Sequence, residues 1–182
     1  MRFLELVKKR KSTRNYSSRP VPREIIARCL EAARMAPSAC NAQPWSFIVV
    51  DDEDLKNRVA GAAFSASYTL NAFAKKAPVL IAAVTERTRY VTRVAGFFRG
   101  IHFALVDVAI ACEHLVLQAE DEGVGTCWLG WFNEKKVKKI LNIPERKKID
   151  IIISMGYPEK DEPKERVRRP LDKIRRFNKE RH

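Results

Sequence analysis

Residue types that carry metal or nucleophilic chemistry are scarce in this chain of 182 residues. Its four cysteines, at positions 29, 40, 112 and 127, include no Cys-x-x-Cys pair and no spacing typical of a metal site. The three histidines lie far apart, at positions 102, 114 and 182, and nothing in the sequence indicates a catalytic triad. We therefore expect a function that needs neither a bound metal nor a side-chain nucleophile.

Long uninterrupted apolar runs are missing as well. The longest run, 101–119, contains Asp107, Glu113 and His114, so we expect a buried helix rather than a membrane span. No signal-peptide pattern is present, which predicts a reduced protein of the cytoplasm. No repeat, low-complexity segment or linker divides the chain, so residues 1–182 are expected to form a single domain.

Acidic residues are few relative to basic ones. Lysine and arginine number 35 against 22 acidic residues, which gives a formal net charge of +13. Much of the excess lies in 135–148 and 160–181. A basic balance favours anionic partners in general, including cofactors that carry phosphate, and does not by itself select DNA or RNA. The sequence has no RNA-binding aromatic motif and no zinc-finger spacing, so nucleic-acid binding is the less favoured interpretation.

The apolar pattern predicts an α+β fold. Helices are expected at 3–9, 22–35, 51–60, 101–120 and 134–141, and strands or extended segments at 47–50, 78–84, 125–132 and 149–155. The two kinds of element do not alternate regularly, which argues against a doubly wound sheet. The helix at 101–120 is apolar nearly all round and must be covered on every side, so a partner subunit is expected. Residues 85–100 are a candidate lid.

A sharp helix-to-strand corner lies at 36–45, with the sequence Ala-Pro-Ser-Ala-Cys-Asn-Ala-Gln-Pro-Trp. Prolines cannot continue a helix, and each disfavours helical backbone at the preceding residue. The corner therefore carries a tryptophan and several small hydrogen-bonding residues on exposed backbone. It is either a capped turn that fills the core with Trp45 or a surface that receives a ligand.

Two basic clusters are candidate anion-binding sites. Arg10, Lys11, Ser12 and Arg14 place three cations and a hydroxyl close together, and such a group can bind phosphate through charge-assisted hydrogen bonds. Near the other end of the chain, the cations that share one side of an extended segment are Lys164, Arg166 and Arg168. The alternative in both cases is a solvated basic surface.

The pair Gly123-x-Gly125 resembles part of a dinucleotide-binding loop but has the wrong context. Such a loop follows a strand and opens a helix, whereas these glycines follow a helix and open a strand. We therefore interpret Gly123 as a helix C-terminal stop.

Taken together and in this order, the first basic cluster, the 36–45 corner, the segment Gly123 to Gly130 and the second basic cluster resemble the FMN-dependent nitroreductase family. The resemblance implies a nitroreductase-like FMN-binding fold, with a central, mainly antiparallel sheet flanked by helices. It also implies an intertwined homodimer with two FMN sites at the interface, in which a C-terminal arm, 158–182, packs on the partner subunit.

The resemblance assigns FMN contacts near the N-terminus. Arg10 would hold the phosphate with help from Ser12 and the neighbouring Lys11, and Arg14 would approach the pyrimidine edge of the flavin. A cation there stabilises the negative charge that the reduced ring carries.

The remaining contacts implied by the resemblance come from three other segments. Arg166 and Arg168 would bind the phosphate, with Lys164 and Arg166 as the alternative register. A backbone N–H of Leu129 or Gly130 would hydrogen-bond flavin N5. The residues expected to pack on the flavin of the neighbouring subunit are Pro37, Ser38, Ala39 and Asn41.

The implied activity is that of an FMN-dependent oxidoreductase. It would use NAD(P)H to reduce nitroaromatics, quinones or similar flat acceptors by ping-pong hydride transfer. Family members that dehalogenate tyrosines or fragment flavin leave those outcomes open. Two other functions also remain open at this point, namely a basic nucleic-acid-binding protein and a flavin-binding protein without turnover.

Overall fold

The computed structural model describes residues 2–86, 100–160 and 166–178. Within these ranges the α-helices are α1 (Phe3–Lys9), α2 (Arg23–Arg34), α3 (Glu53–Ala63), α4 (Phe103–Asp121) and α5 (Glu134–Ile140). The strands are β1 (Trp45–Val50), β2 (Val79–Thr85), β3 (Gly125–Leu129) and β4 (Lys148–Gly156). Short 3-10 segments lie at Ala39–Asn41, Ala66–Lys76 and Leu171–Lys173.

The four strands form one antiparallel sheet in the order β1-β2-β4-β3. The two central strands are the most apolar, because helices cover both faces of the sheet and leave no side of these strands in water. The register between β2 and β4 shifts once, between Ala83 and Val84. β3 is at the edge of the sheet, so part of its backbone is available to another segment of the chain.

The sheet separates two apolar cores. One contains α3 and α5, with Phe64 and Val137 fully buried. The other contains α2 and α4, which pack closely because the residues at their contact are small, such as Cys29, Ala33 and Ala111. This arrangement confirms the predicted α+β class and the antiparallel sheet flanked by helices.

Differences from the sequence prediction are confined to element ends. Pro22 precedes α2 as its N-cap rather than opening the helix. β1 begins at Trp45 because the strand pairs with β2 as far as Thr85. Gly123 has φ of +73°, which only glycine adopts without strain, so its interpretation as a helix stop is confirmed. Most of the candidate lid, 87–99, lies outside the described residues.

Part of the long helix α4 is exposed, although its sequence is apolar. Leu105 and Val106 near its start are each 48% exposed, and Phe3 on the adjacent α1 is 69% exposed. An open groove lies between α1, α2 and α4, and Leu6 and Leu117 are among its lining residues. In the single folded chain, part of the apolar surface of this helix therefore remains uncovered, as the sequence predicts. No helix in the described ranges combines the length and the apolar character needed to cross a membrane.

Candidate functional site

The N-terminal segment after α1 binds the free edge of β3. The backbone N–H of Thr13 donates to the carbonyl of Thr126 at 2.8 Å, and Ser12 forms a parallel bridge with the same residue. Further along, the N–H of Ser17 donates to the carbonyl of Tyr157 at 2.9 Å. This pairing satisfies the edge of the sheet and places the first basic cluster beside β3.

Tyr16 fixes this segment from inside the core. Its hydroxyl donates to the carbonyl of Thr13 at 2.7 Å and lies 2.8 Å from the hydroxyl of Ser154. Burial raises the pKa of Tyr16, so the phenol stays neutral. Gly125 lies directly against Thr13, and a Cβ atom at position 125 would collide with the threonine side chain. The segment is therefore held in one position by hydrogen bonds and by close packing.

Arg166 brings the C-terminal basic cluster to the end of α1. Its Nη2 donates to the carbonyl of Lys8 at 2.7 Å and to that of Val7 at 3.1 Å. Its Nη1 is buried and has no hydrogen-bond partner among the described residues. Burial lowers the pKa of Arg166, and the nearby positive charges of Arg10 and Arg168 lower it further. Three guanidinium groups from opposite ends of the sequence thus lie near one another.

Nearby acids offset this charge only in part, since Glu120 raises the pKa of Arg166 but has the smallest of the four effects on that guanidinium. Among the described residues, no carboxylate lies within ion-pair distance of Arg10, Arg166 or Arg168. Glu113 on α4 is close enough to Arg10 for the cation to oppose the rise in its pKa, but burial dominates and the pKa of Glu113 is raised. The cluster therefore has an excess of positive charge and an unused buried donor.

These residues fit an anionic group rather than a metal. Arginine offers only hydrogen-bond donors, in a fork that matches phosphate oxygens, and the buried Nη1 of Arg166 lacks an acceptor. The described part of the chain holds no group of three or more histidine, cysteine or acidic residues that could bind a metal ion. The phosphate of FMN is one anion of the kind that this cluster suits.

The 37–41 corner is anchored to the other end of α4. The N–H of Ala39 donates to the buried carboxylate of Asp107 at 3.1 Å, and the hydroxyl of Ser38 accepts from the N–H of Gln43 at 2.9 Å. Cys40 and Asn41 have φ values of 52° and 51°, in the left-handed region. The corner is a defined turn on the surface, and Pro37 and Asn41 are exposed.

The corner and the cation cluster do not meet within one chain. Asp107 lies in the second turn of α4, whereas Lys9 forms an ion pair of 3.8 Å with Glu120 in its last turn. At 1.5 Å per residue these two points on the helix are about 20 Å apart. The predicted residues Pro37, Ser38, Ala39 and Asn41 therefore lie away from the cation cluster of their own chain.

Arg14 and the end of β3 converge on a third region. The guanidinium of Arg14 lies 5.9 Å from the centre of the Phe73 ring. Leu129 ends β3 in the core and Gly130 is exposed. The amide of Asn71 donates to the carbonyl of Trp131 at 3.0 Å. Arg14 and the chain just after Gly130 therefore both contact the segment Ala66–Lys76.

Sequence reasoning missed several residues of this region. Asp107 is visible in the sequence only as a break in an apolar run, whereas in the structure it is buried and accepts the N–H of Ala39. Tyr16, Phe73 and Trp131 belong to no motif. An aromatic residue in a short irregular segment is as typical of a core position as of a binding site, so the sequence gives no reason to select these three. Asn71 belongs to no motif either, and only the structure shows its bond to the carbonyl of Trp131. Lys164, the alternative member of the C-terminal pair, lies outside the described residues.

The fold and site define an α+β protein with an antiparallel sheet and a cluster of arginines beside the sheet edge. The model of the nitroreductase family matches residues 7–157, most of the chain. The chain therefore belongs to the nitroreductase family, and it is an oxidoreductase by that membership.

Individual relatives agree with this placement. A protein of Archaeoglobus fulgidus, provisionally named NADH dehydrogenase/NAD(P)H nitroreductase, is 32% identical over 163 residues, which cover 87% of this chain and 86% of the relative. The structure of an FMN-dependent nitroreductase of Clostridium difficile R20291 has a TM-score of 0.76 and 27% identity, and the match covers 97% of this chain and 99% of that one. An iodotyrosine deiodinase of Thermotoga neapolitana is 27% identical over 180 residues, with 88% and 90% covered.

Proposed function

We propose that the protein is an FMN-dependent oxidoreductase that uses NAD(P)H to reduce nitroaromatics, quinones or similar flat acceptors. The observation that carries the proposal is the cluster of Arg10, Arg166 and Arg168, in which a buried guanidinium nitrogen of Arg166 lacks a partner. The family membership and the FMN-dependent relative support flavin as the group that this cluster holds.

The chain's own residues would bind and orient the cofactor. Arg10, Arg166 and Arg168 would hold the phosphate, helped by Ser12 and Lys11. Bound FMN would supply the redox chemistry, because it can take two electrons from a nicotinamide and pass them to an acceptor. The described site contains no triad or metal cluster, which suits a reaction that needs no side-chain nucleophile.

Arg14 would act through its charge. It is exposed, and its guanidinium lies 5.9 Å from the centre of the Phe73 ring, on the segment that also binds the backbone just after Gly130. A fixed cation there would stabilise negative charge that develops on the pyrimidine edge of a bound ring. A backbone N–H of Leu129 or Gly130 would donate to N5.

The complete site would need two copies of the chain. The corner residues Pro37, Ser38, Ala39 and Asn41 lie at the opposite end of α4 from the cations, so within one chain they cannot contact the same flavin phosphate region. Exposed apolar residues at both ends of α4, namely Leu105 and Val106 at its start and Phe3 beside its last turns, supply surface for a second copy. We propose a homodimer with two FMN sites at its interface, in the cytoplasm.

The first experiment identifies the cofactor and its reactivity. Purified protein should be yellow, release FMN on denaturation, and lose its flavin absorbance when NADH or NADPH is added without oxygen. Adding 1,4-naphthoquinone should restore the colour. Protein that neither carries nor takes up FMN would overturn the proposal. Protein that binds FMN but is not bleached by either nicotinamide would support a flavin-binding protein without turnover.

Steady-state kinetics test whether the donor and acceptor share one space. The proposal expects parallel double-reciprocal lines and mutual competition between NAD(P)H and the acceptor, because each would stack on the same open face in turn. Intersecting lines would show a ternary complex and would contradict the shared space.

Reductive deiodination is a second candidate function. It is favoured by the similarity to the iodotyrosine deiodinase of Thermotoga neapolitana. Protein reduced without oxygen and mixed with monoiodotyrosine should release iodide if this activity is present. A protein that reduces naphthoquinone but releases no iodide would have the first function and not the second.

A further inference from the structure

Trp131 is both exposed and fixed in place. Trp131 is 55% exposed, yet its indole Nε1 donates to the carbonyl of Ser67 at 3.0 Å. The ring of Tyr68 lies 5.2 Å away at an angle of 42°, which is within the range of favourable aromatic pairs. The indole therefore keeps one orientation and presents a large part of its apolar surface to the outside.

The backbone at Trp131 is fixed from the same direction. The amide of Asn71 donates to its carbonyl at 3.0 Å, so the segment Ala66–Lys76 holds both the main chain and the ring. Leu70 in that segment is 79% exposed and extends the apolar surface. Trp131, Tyr68 and Leu70 together are called the aromatic shelf below.

The shelf adjoins, along the chain, two residues of the proposed cofactor site. Trp131 directly follows Gly130, whose backbone is one of the two candidates to reach flavin N5. Phe73, on the same segment as Tyr68 and Leu70, lies under the guanidinium of Arg14. Under the proposed function, the shelf therefore lies one residue from the backbone that would reach flavin N5, on the segment that also carries the partner ring of Arg14.

We propose that Trp131, supported by Tyr68, is a specificity-determining residue that stacks on the ring of a flat aromatic acceptor. This inference rests on the proposed function and adds the residue that selects the acceptor. Because the indole N–H is already bound to Ser67, the ring face rather than a polar edge is offered to the ligand. The shelf favours acceptors with two fused rings over compact oxidants that have no ring to stack.

The direct test is a binding measurement without turnover. FMN-loaded, oxidised protein is titrated with 1,4-naphthoquinone, and the indole N–H signals of the three tryptophans are followed by NMR. Trp131→Phe assigns the signal of Trp131 by its loss. We expect that signal to shift more than those of Trp45 and Trp128.

Substitution measures the size of the contact. Trp131→Ala should raise the dissociation constant for naphthoquinone about two- to tenfold, the range expected for one aromatic pair. Trp131→Phe should keep most of the affinity. Leu4→Ala, which changes an exposed apolar residue of α1, is the matched control and should leave the dissociation constant unchanged.

Reoxidation of the reduced enzyme gives a second readout. In a stopped-flow experiment, Trp131→Ala should lower the rate constant for naphthoquinone by a larger factor than that for ferricyanide, so the ratio of the two falls. Equal losses for both acceptors would overturn the inference.

Two further results separate the possible failures. Protein that takes up no FMN would overturn the proposed function and this inference with it. FMN-loaded protein whose Trp131 signal does not respond to naphthoquinone would overturn the inference alone. A Trp131→Ala protein with unchanged affinity and altered subunit association would also overturn it, and would assign the shelf to contact with a second copy.

Discussion

The two terminal guanidinium nitrogens of Arg166 have different surroundings. Nη2 satisfies two carbonyls at the C-terminal end of α1, where a cation is also favoured by the helix dipole. Nη1 is buried without an acceptor, and an unpaired buried donor is costly. An anion that reached this nitrogen would remove that cost, so binding and local stability are expected to increase together.

Replacement of Arg166 should separate FMN from riboflavin. Arg166→Ala removes a charge-assisted contact to phosphate that is worth about 1.5–3 kcal/mol, so the dissociation constant for FMN should rise about tenfold or more. Riboflavin lacks the phosphate, and its weaker binding should not change. Arg169→Ala, whose guanidinium bonds to the carbonyl of Lys173, is the control. A fluorescence titration that gives equal FMN affinity in both variants would contradict the phosphate assignment.

Arg14 should affect flavin reduction more than flavin binding. Its charge is proposed to stabilise the electron-rich ring, so Arg14→Ala should slow anaerobic bleaching by NADH about tenfold or more and weaken FMN binding less. Arg19→Ala is a control, because Arg19 stacks at 3.9 Å on Tyr157. A reduction rate in Arg14→Ala equal to that of the parent would remove Arg14 from this role.

Glu113 predicts a pH dependence of stability. Burial raises its pKa in the folded chain above that of the unfolded chain, so the folded state binds the proton more tightly. The negative charge of Glu113 therefore destabilises the folded chain at neutral pH. This effect disappears below about pH 4, where Glu113 is protonated in both the folded and the unfolded chain. Glu113→Gln should raise the melting temperature at pH 7 and leave it unchanged at pH 4. Glu145 is exposed, so Glu145→Gln should not raise the melting temperature at pH 7 relative to pH 4. The same dependence of melting temperature on pH in both variants would refute the prediction.

The residues of the site were predictable to different degrees. Arg10 and Arg166 could be chosen because each lies in a dense run of cations that resembles the family pattern, and their contact with a phosphate stays a prediction. Asp107 and Trp131 could not, since their importance comes from single hydrogen bonds to residues distant in sequence, and such bonds leave no local pattern. The contacts of the 37–41 corner with a flavin stay a prediction.

At the scale of the element, the contact between β3 and the segment after α1 depends on one missing side chain. A Cβ atom at position 125 would collide with Thr13, and neither backbone can move freely because Thr13 pairs with Thr126. Gly125→Ala should therefore lower the melting temperature and weaken FMN binding by displacing Ser12 and Arg14. Overpacking of this kind costs about 1–3 kcal/mol.

Gly61 offers a matched control for this prediction. It lies within α3 and a Cβ atom there would meet nothing within 4 Å. Alanine favours a helix interior over glycine by about 1 kcal/mol, so Gly61→Ala should raise the melting temperature without a change in FMN affinity. If Gly125→Ala behaved in the same way as Gly61→Ala, the close contact with Thr13 would not constrain the site.

The helices and strands themselves were largely predictable from the spacing of their apolar residues. α4 and β4 have strong patterns because one face or both faces are buried. α1 matches its prediction although none of its residues is buried in the single chain, and the structure agrees with all three within a few residues. Their order within the sheet was not predictable, because the pairing of β2 with β4 joins segments separated by α4 and β3. The bridge from Ser12 to β3 was missed for the same reason, as isolated pairs carry no period.

For the whole molecule, the C-terminal arm is the clearest test of the proposed dimer. Its apolar residues are exposed in the single chain: Val167 95%, Leu171 61%, Ile174 65% and Phe177 56%. Truncation after Tyr157 should abolish both the dimer and flavin binding. A chain that remains dimeric by analytical ultracentrifugation after this truncation would show that the arm is not required.

A second arm variant keeps the phosphate ligands. Leu171→Ser combined with Ile174→Ser and Phe177→Ser leaves Arg166 and Arg168 in place, so it removes only the apolar contacts. It should weaken subunit association and, through the loss of the second subunit, FMN binding. A monomeric variant with undiminished flavin affinity would contradict a site shared between subunits.

The cation cluster also has a consequence for the order in which the protein is made. Arg166 bonds to Val7 across a sequence separation of 159 residues, so nearly the whole chain must leave the ribosome before the two halves of the cluster can meet. FMN bound there as proposed would not act as a template for early folding and would be captured by a chain that is almost complete. Because a ligand that binds only the folded form stabilises it by mass action, uptake of FMN would secure both ends of the chain as the last step of maturation.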